Sequence, residues 1–382
     1  MLLFKYYNFV NDSIFSFLSL IHLRIALPGL NWAIPVGISF FTFQALGYYL
    51  DVYHKRIPAE KNLMDYLLFV SFFPQIASGP ISKASELLPQ IKKTEAFVYD
   101  KAVRGCRYFL WGLFLKIVLA DRAGVYVSTV FAHYDRFPGI NCLLATFMYS
   151  VQIYADFAGY SFMAIGVAKL LGFDLINNFN HPYFSVSVTD FWRRWHISLS
   201  RWLKDYVYIP LGGNRCSKMR NYLNIMVTFL VSGIWHGANW TFILWGVFHG
   251  VCQVIEKILG LQKFETKGVL RALKIFVTFI IVSFAWILFR SPSISDAVNI
   301  MGRILSLYTD FKLYLEGYDI VVYFFVAFIP FLIFEIVHEF YKELYQKIMD
   351  CVVIRWCIYI TLLSLVILIG VFDGSQFIYA NF

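Results

Sequence analysis

The chain has 382 residues, 59% of them hydrophobic, 20% aromatic and only 15% charged. Soluble domains run nearer a quarter charged, and a water-soluble fold this apolar could not cover its surface with polar groups. The formal charge of +9 at pH 7 has no basic domain standing clear of the apolar segments, so it points to loops facing anionic lipid and not to nucleic acid.

An all-α, polytopic membrane protein is therefore expected. Asn8, Asn11 and Asp12 interrupt the first apolar run, so it does not read as a cleavable signal peptide. A spanning helix needs about 20 mostly apolar residues. Candidates lie at 31–50, 64–80, 105–121, 140–155, 157–172, 221–238, 240–258, 271–289, 318–340 and 352–372. Pro74 and Pro80 make the second of these a half-span or re-entrant piece. Segment 294–307 carries Asp296, Asn299 and Arg303 among apolar residues and reads as an interfacial amphipathic helix. Apolar segments recur without a long polar linker, so residues 1–382 read as a single membrane domain. The six cysteines form no CxxC pair and no metal-ligand spacing, so no metal site is expected.

Basic residues set the expected orientation. Arg193, Arg194, Arg201, Lys204, Arg215, Lys218 and Arg220 are opposed only by Asp205 between Phe191 and Tyr222, which places that stretch in the cytoplasm. Lys263, Lys267, Lys342 and Lys347 agree with this. Arg290, Arg303 and Lys312 fall on the outer side and count against it.

Three stretches carry candidate chemistry. The first is QIYADFAGYSFMAIG, residues 152–166, where Asp156 stands between two apolar runs with Gln152 one turn before it. An intramembrane Asp pairs with a polar group or faces an aqueous cavity. Its functional reading is to orient a histidine, and its structural reading is a buried hydrogen bond between helices. The second is DFWRRWHISLSRWLKDYVYIPLGGNR, residues 190–215. Taken as one helix over 191–207, it segregates Phe191, Trp192, Trp195, Leu199, Trp202 and Leu203 from Arg193, Arg194, Ser198, Arg201 and Lys204. His196 falls inside the apolar arc and needs a partner. The cationic face is either a lipid anchor or a docking patch for an anionic cytoplasmic donor, made of Arg193, Arg194, Arg201, Lys204 and Arg215.

The third stretch is SGIWHGANW, residues 232–240. His236 lies within an apolar run, where ionisable residues are costly and mark candidate sites. Gly237 and Asn239 make the turn. Tyr222 to Glu256 is short for two full spans, so the turn is expected to stop inside the bilayer, leaving His236 in the interior. A buried neutral imidazole can take the proton of a hydroxyl attacking a thioester. Trp235 and Asn239 flank it as supporting residues. His249 reads as structural. There is no Walker loop, HExxH or GxSxG.

The strings of 190–215 and SGIWHGANWTFILWGVFHG resemble the alginate O-acetyltransferase branch of the membrane-bound O-acyltransferase family. PVGISFFTFQALGYYLDVY (35–53), LFVSFFPQIASGPI (68–81), QIYADFAGYSFMAIG and the ending FIYANF are similar to the same branch. The resemblance implies a multi-helix fold with a transmembrane tunnel in a bacterial inner membrane, and about two further hydrophobic helices ahead of Met1. It implies acetyl transfer from a cytoplasmic thioester donor, such as acetyl-CoA, with no bound cofactor. The acceptor would be an exopolysaccharide or cell-wall glycan, reached with a periplasmic or extracellular acyltransferase partner. His236 matches the family's membrane-embedded histidine and His196 its second motif histidine. Phe162 stands where the branch often has Asp. Peptidoglycan O-acetylation and D-alanyl transfer to teichoic acid are sibling readings. A transporter, or a non-catalytic assembly subunit, is the alternative of another class.

Overall fold

A computed structural model describes residues 2–372 apart from 24–27, 31, 33–34, 36, 77, 94–95, 262–265, 307–313 and 315–317, and all regular structure among the described residues is helical. Lys263, Lys312 and the ending FIYANF lie outside the described residues.

Helix α1 (Leu2–Leu20) precedes α2 (Ile38–Tyr53), which begins after Gly37. Gly37 has φ 76°, and a Cβ there would lie 2.1 Å from the carbonyl oxygen of Ile76, so the turn admits only glycine. The expected span 64–80 is broken into α3 (Leu63–Val70), whose first turn is capped by the Asn62 side chain, and the single turn α4 (Phe73–Ile76). At eight residues, α3 is about 12 Å long and crosses less than half of a hydrocarbon core of about 30 Å. The half-span reading therefore holds.

Helices α5 (Ala84–Ile91) and α6 (Tyr99–Leu113) follow, and α6 runs through a π-helical turn at Phe114–Ala120 into α7 (Asp121–Ala132). The two spans expected at 140–155 and 157–172 are instead one helix, α8 (Gly139–Leu170), of 32 residues. That is about 48 Å. No proline or turn cluster separates the two apolar runs, and Asp156 is fully buried in mid-helix instead of marking a loop. Helices α6 and α8 touch backbone to backbone. A Cβ on Gly105 would lie 2.7 Å from the oxygen of Gly166, and one on Gly112 would lie 2.4 Å from that of Gly159. Small residues on both partners permit this approach.

The single helix expected over 191–207 is in fact α9 (Val188–Arg194), α10 (Ile197–Leu203) and a π-helical turn at Lys204–Tyr208. The break falls at Trp195 and His196. A hairpin of α11 (Lys218–His236) and α12 (Trp240–Ile258) follows, then α13 (Gly268–Arg290) and the expected amphipathic helix α14 (Ile294–Leu305). Helices α15 (Tyr318–Phe340), α16 (Lys342–Asp350) and α17 (Val352–Ile369) are the last among the described residues. Among the described residues three helices, at 268–290, 319–340 and 352–369, are long and apolar enough to cross a membrane by length and composition. Only 11% of the apolar window of α17 is buried, so most of that window lies at the periphery of the described structure.

Replacing Gly112 by valine should lower thermal stability in detergent by about 1–3 kcal/mol, the usual cost of overpacking. Gly302→Ala in α14 is the control. A Cβ at Gly302 meets nothing within 4 Å, so the change should be neutral or stabilising. Equal melting curves for the two variants would remove the close α6–α8 approach as a constraint.

Candidate active site

The site is built around the indole of Trp235, on the last turn of α11. On one face Trp235 stacks on Phe43 of α2 with ring centroids 5.1 Å apart, and Phe43 stacks on Trp202 of α10 at 4.1 Å. The Trp202 indole N–H donates to the carbonyl of Phe43 at 3.0 Å. This stack joins α2, α10 and α11. The imidazoles of His236 and His196 both pack against Trp235, with centroids 4.7 Å and 6.2 Å away. Sequence positions 40 residues apart are thus brought to one indole.

His236 ends α11 and is 4% exposed. Trp245 and Phe289 meet its ring edge-on at 5.0 Å and 5.2 Å. The reason expected for this burial was a hairpin too short to cross. In the structure α11 and α12 have 19 residues each, about 28 Å, close to the hydrocarbon thickness. The aromatic neighbours Trp245 and Phe289 bury His236 within the protein. Helix α1 also covers this end. Lys5 Nζ donates to the carbonyls of Trp235 and His236 at 2.7 Å and 3.0 Å, and Tyr6 donates to Ile234 at 2.5 Å. A cation on the unsatisfied carbonyls of a helix C-terminus is favourable.

His196 is fully buried, and its backbone is left-handed at φ 44° and ψ 55°. Such strain in a non-glycine residue costs on the order of 1–3 kcal/mol and persists only where the surroundings over-determine it. Here the extended segment before α9 does so. Asn180 N–H donates to Arg194 O at 2.9 Å, and Ile197 N–H donates to Asn178 O at 2.9 Å. Asn178 Oδ1 lies 3.1 Å from His196 Nδ1 and accepts from Ser198 N–H and Oγ–H at 3.2 Å and 2.9 Å. Phe157 of α8 meets the imidazole edge-on at 4.6 Å. The helical wheel correctly turned His196 inward but missed the break and missed Asn178. The only sequence signal for it is the run Asn177, Asn178, Phe179, Asn180 just ahead of the amphipathic stretch.

Glu256 and His249, both on α12, hold this region. Glu256, on the last turn of α12, accepts from the N–H groups of Val188 and Thr189 at 2.5 Å and 2.9 Å and so caps α9. Trp192 donates to His249 Nδ1 at 3.3 Å, which ties α9 to α12 and gives His249 a bonding partner in the core.

Asp156 has a cation as partner. Lys116, in the π-helical turn, lies 2.7 Å from Asp156 and 2.6 Å from Asp121. Asp156 is thus held by a cation from another part of the chain, a pairing that the residues around position 156 do not signal. Gln152 is buried one turn away, and its Oε1 has no hydrogen-bond partner among the described residues. Asn239 caps α12 through Thr241 N–H at 3.0 Å and donates to Pro292 O at 2.8 Å, so its contacts are those of a turn residue.

The five basic residues do not form one free patch. Arg194 pairs with Asp190 at 3.2 Å and with Glu339 at 2.9 Å, and Arg201 pairs with Glu86. Glu86 and Glu339 come from α5 and α15, remote in sequence. Arg193, Lys204 and Arg215 are exposed. A cleft of about 280 Å³, counting solvent at its mouth, opens between α2, α5 and α10. Gln44, Ser82, Lys83, Ser198, Arg201 and Tyr206 are among its lining residues.

A model of the membrane-bound O-acyltransferase family matches residues 54–291, which include every residue of the pair His196 and His236 and their surroundings in α8. The chain belongs to the membrane-bound O-acyltransferase family. A protein of Pseudomonas aeruginosa named "Probable alginate O-acetylase AlgI" is 41% identical over 294 residues, 77% of this chain and 56% of the relative. A peptidoglycan O-acetyltransferase of Helicobacter pylori is 36% identical over 306 residues, 73% of this chain and 58% of its own. A teichoic acid D-alanyltransferase of Streptococcus thermophilus is 30% identical over 282 residues, covering 66% and 68%. The chain thus spans little more than half the length of the alginate and peptidoglycan relatives. Family and apolar helices together make it a membrane protein.

The Lys116 cluster gives a test. Lys116→Met leaves two buried carboxylates without that cation and should cost about 3–5 kcal/mol. A double variant that also carries Asp156→Leu should recover part of this loss. Additive effects in detergent melting would deny the pair any coupling.

Proposed function

We propose that this chain is the membrane-embedded part of an O-acetyltransferase that modifies an exopolysaccharide. The observation that carries this reading is the convergence of His236 and His196 on Trp235 in the buried centre of a chain of this family. The names of the alginate relatives supply the acyl group and the class of acceptor.

The reaction is neutral overall. An acceptor hydroxyl attacks the carbonyl carbon of a thioester such as acetyl-CoA, the C–O bond forms, the C–S bond breaks, and the thiol leaves with the hydroxyl proton. His236 takes that proton as the hydroxyl attacks and returns it to the departing sulfur, help of a kind worth about 10²–10⁴-fold. His196 acts beside the same indole. Gln152 Oε1 and the indole N–H groups of Trp235 and Trp245 are buried without hydrogen-bond partners. Buried polar atoms are ordinarily satisfied, which supports their lining the passage between donor and acceptor. The donor enters from the cytoplasm, where Arg193, Lys204 and Arg215 attract its phosphates. The protein sits in the bacterial inner membrane and passes acetyl groups to acceptor polymer outside, with an extracytoplasmic acyltransferase as partner.

Peptidoglycan is the second acceptor to weigh, given the Helicobacter relative. Acetyl esters should be measured on both polymers in a deletion strain carrying this chain or its His236→Ala variant at equal expression. The expected result is restoration by the parent chain on exopolysaccharide, with a rate at least about 100-fold lower for the variant. Esters appearing on peptidoglycan alone would move the acceptor. Full restoration by His236→Ala would overturn the catalytic assignment and favour a transport or assembly role.

A further inference from the structure

The bonds around Asn178 decide which nitrogen of His196 carries the proton. Asn178 Oδ1 takes the backbone N–H of Ser198 at 3.2 Å. A backbone N–H can only donate, so the amide atom facing it is the oxygen. Nδ2 of the same amide points the other way, to Ser161 Oγ at 3.3 Å. His196 Nδ1 lies 3.1 Å from that same oxygen. Two bare acceptors would repel at this distance, so Nδ1 carries hydrogen and donates. Ser198 Oγ is also 3.5 Å from Nδ1, but its single proton is committed to Asn178 at 2.9 Å, and the hydroxyl oxygen accepts from Ile81 N–H at 3.0 Å. The tautomer is thereby set by a chain that ends in a backbone group, which cannot reverse.

The other nitrogen, Nε2, is left with its lone pair. It is buried, has no hydrogen-bond partner among the described residues, and belongs to a ring packed against Phe40, Phe157 and Trp235. No carboxylate is among its hydrogen-bond partners, and so deep a group is kept uncharged. We propose that Asn178 is a positioning residue that locks His196 in the Nδ1–H tautomer and so presents Nε2 to the substrate as a hydrogen acceptor. His196 in this state cannot polarise the thioester carbonyl, because that requires a donor. It receives an O–H, N–H or S–H of the substrate instead. The left-handed backbone at His196 belongs to the same device, since the bonds from Ile197 and Ser198 to Asn178 fix both the kink and the ring.

This rests on the reading of His196 as a site residue, and the test keeps the two apart. The full chain, labelled with ¹⁵N-histidine and reconstituted in lipid nanodiscs, is read by two-bond ¹H–¹⁵N correlation, with the His196 ring assigned by its loss in His196→Gln. The proposal expects a protonated Nδ1 and a bare Nε2. A protonated Nε2 overturns it whatever the activity. Asn178→Asp keeps an acceptor at Nδ1 and should retain the tautomer and acetyl-ester formation within about 10-fold. Asn178→Leu frees the ring and should lose at least about 100-fold in turnover with little change in KM for the thioester, a size typical of acid–base groups. Equal losses in the Asp and Leu variants, with the tautomer unchanged in both, would reduce Asn178 to a packing residue. Should the wild-type tautomer be as stated while His196→Gln stays fully active, the tautomer stands and the functional reading of His196 falls.

Discussion

The break between α9 and α10 is the constraint on which the rest of the site depends. Left as one helix, residues 188–208 would lie along the membrane surface with the aromatic face in and the cationic face out. Bonds from Asn180 to Arg194 and from Ile197 to Asn178 stop the first helix and restart the second at a new angle. Trp195 then enters an aromatic cage with Phe179, Phe191 and Trp286, while Trp202 reaches Phe43 and through it Trp235. Glu256 and His249 fix the first half of the broken segment to α12. The inward-facing imidazole at 196 is the product of bonds made by five different stretches of chain, which is how a strained backbone can persist there.

Charge inside the protein separates into two kinds. Lys116, Asp121 and Asp156 are close enough to neutralise one another in part. His181 is held between Glu335 at 2.9 Å and His338 at 2.6 Å, with Tyr154 donating to Glu335 at 3.3 Å. These groups are satisfied locally and tie α15 and the segment before α9 to the centre, a structural use of polarity in an apolar setting. Among the buried polar atoms without hydrogen-bond partners in the described residues are His196 Nε2 and Trp235 Nε1, beside the two histidines. Satisfied polarity holds helices together, and unsatisfied polarity points to where a second molecule makes its contacts.

Much of this was legible in the sequence because burial cost is local. A histidine in an apolar run, a proline in a short apolar segment and an amphipathic period each report on their own surroundings, and His236, the half-span at α3 and α14 follow from them. What the sequence hid was pairing. Helix α8 passes through Asp156 without a break because Lys116 meets it from a π-helical turn, and nothing near residue 156 encodes that. Arg194 and Arg201 look like free cations until Glu339 and Glu86 arrive from elsewhere. Asn178 looks like a loop residue because its partners lie 18 and 20 positions away.

Two histidines on one indole would suit the neutral transfer proposed above. In that reaction the hydroxyl proton would leave as the new ester forms and reach the sulfur as the old bond breaks, with no net charge crossing the site. Uncharged imidazoles in an apolar cage can carry a proton for that interval without a permanent ion to bury, whereas a carboxylate base would need a standing cation beside it, as Asp156 needs Lys116. Placing one imidazole at the end of α11, where Lys5 and Tyr6 occupy the helix carbonyls, and the other at a bonded kink gives each a fixed direction. The aromatic walls between them supply shape without competing for the proton.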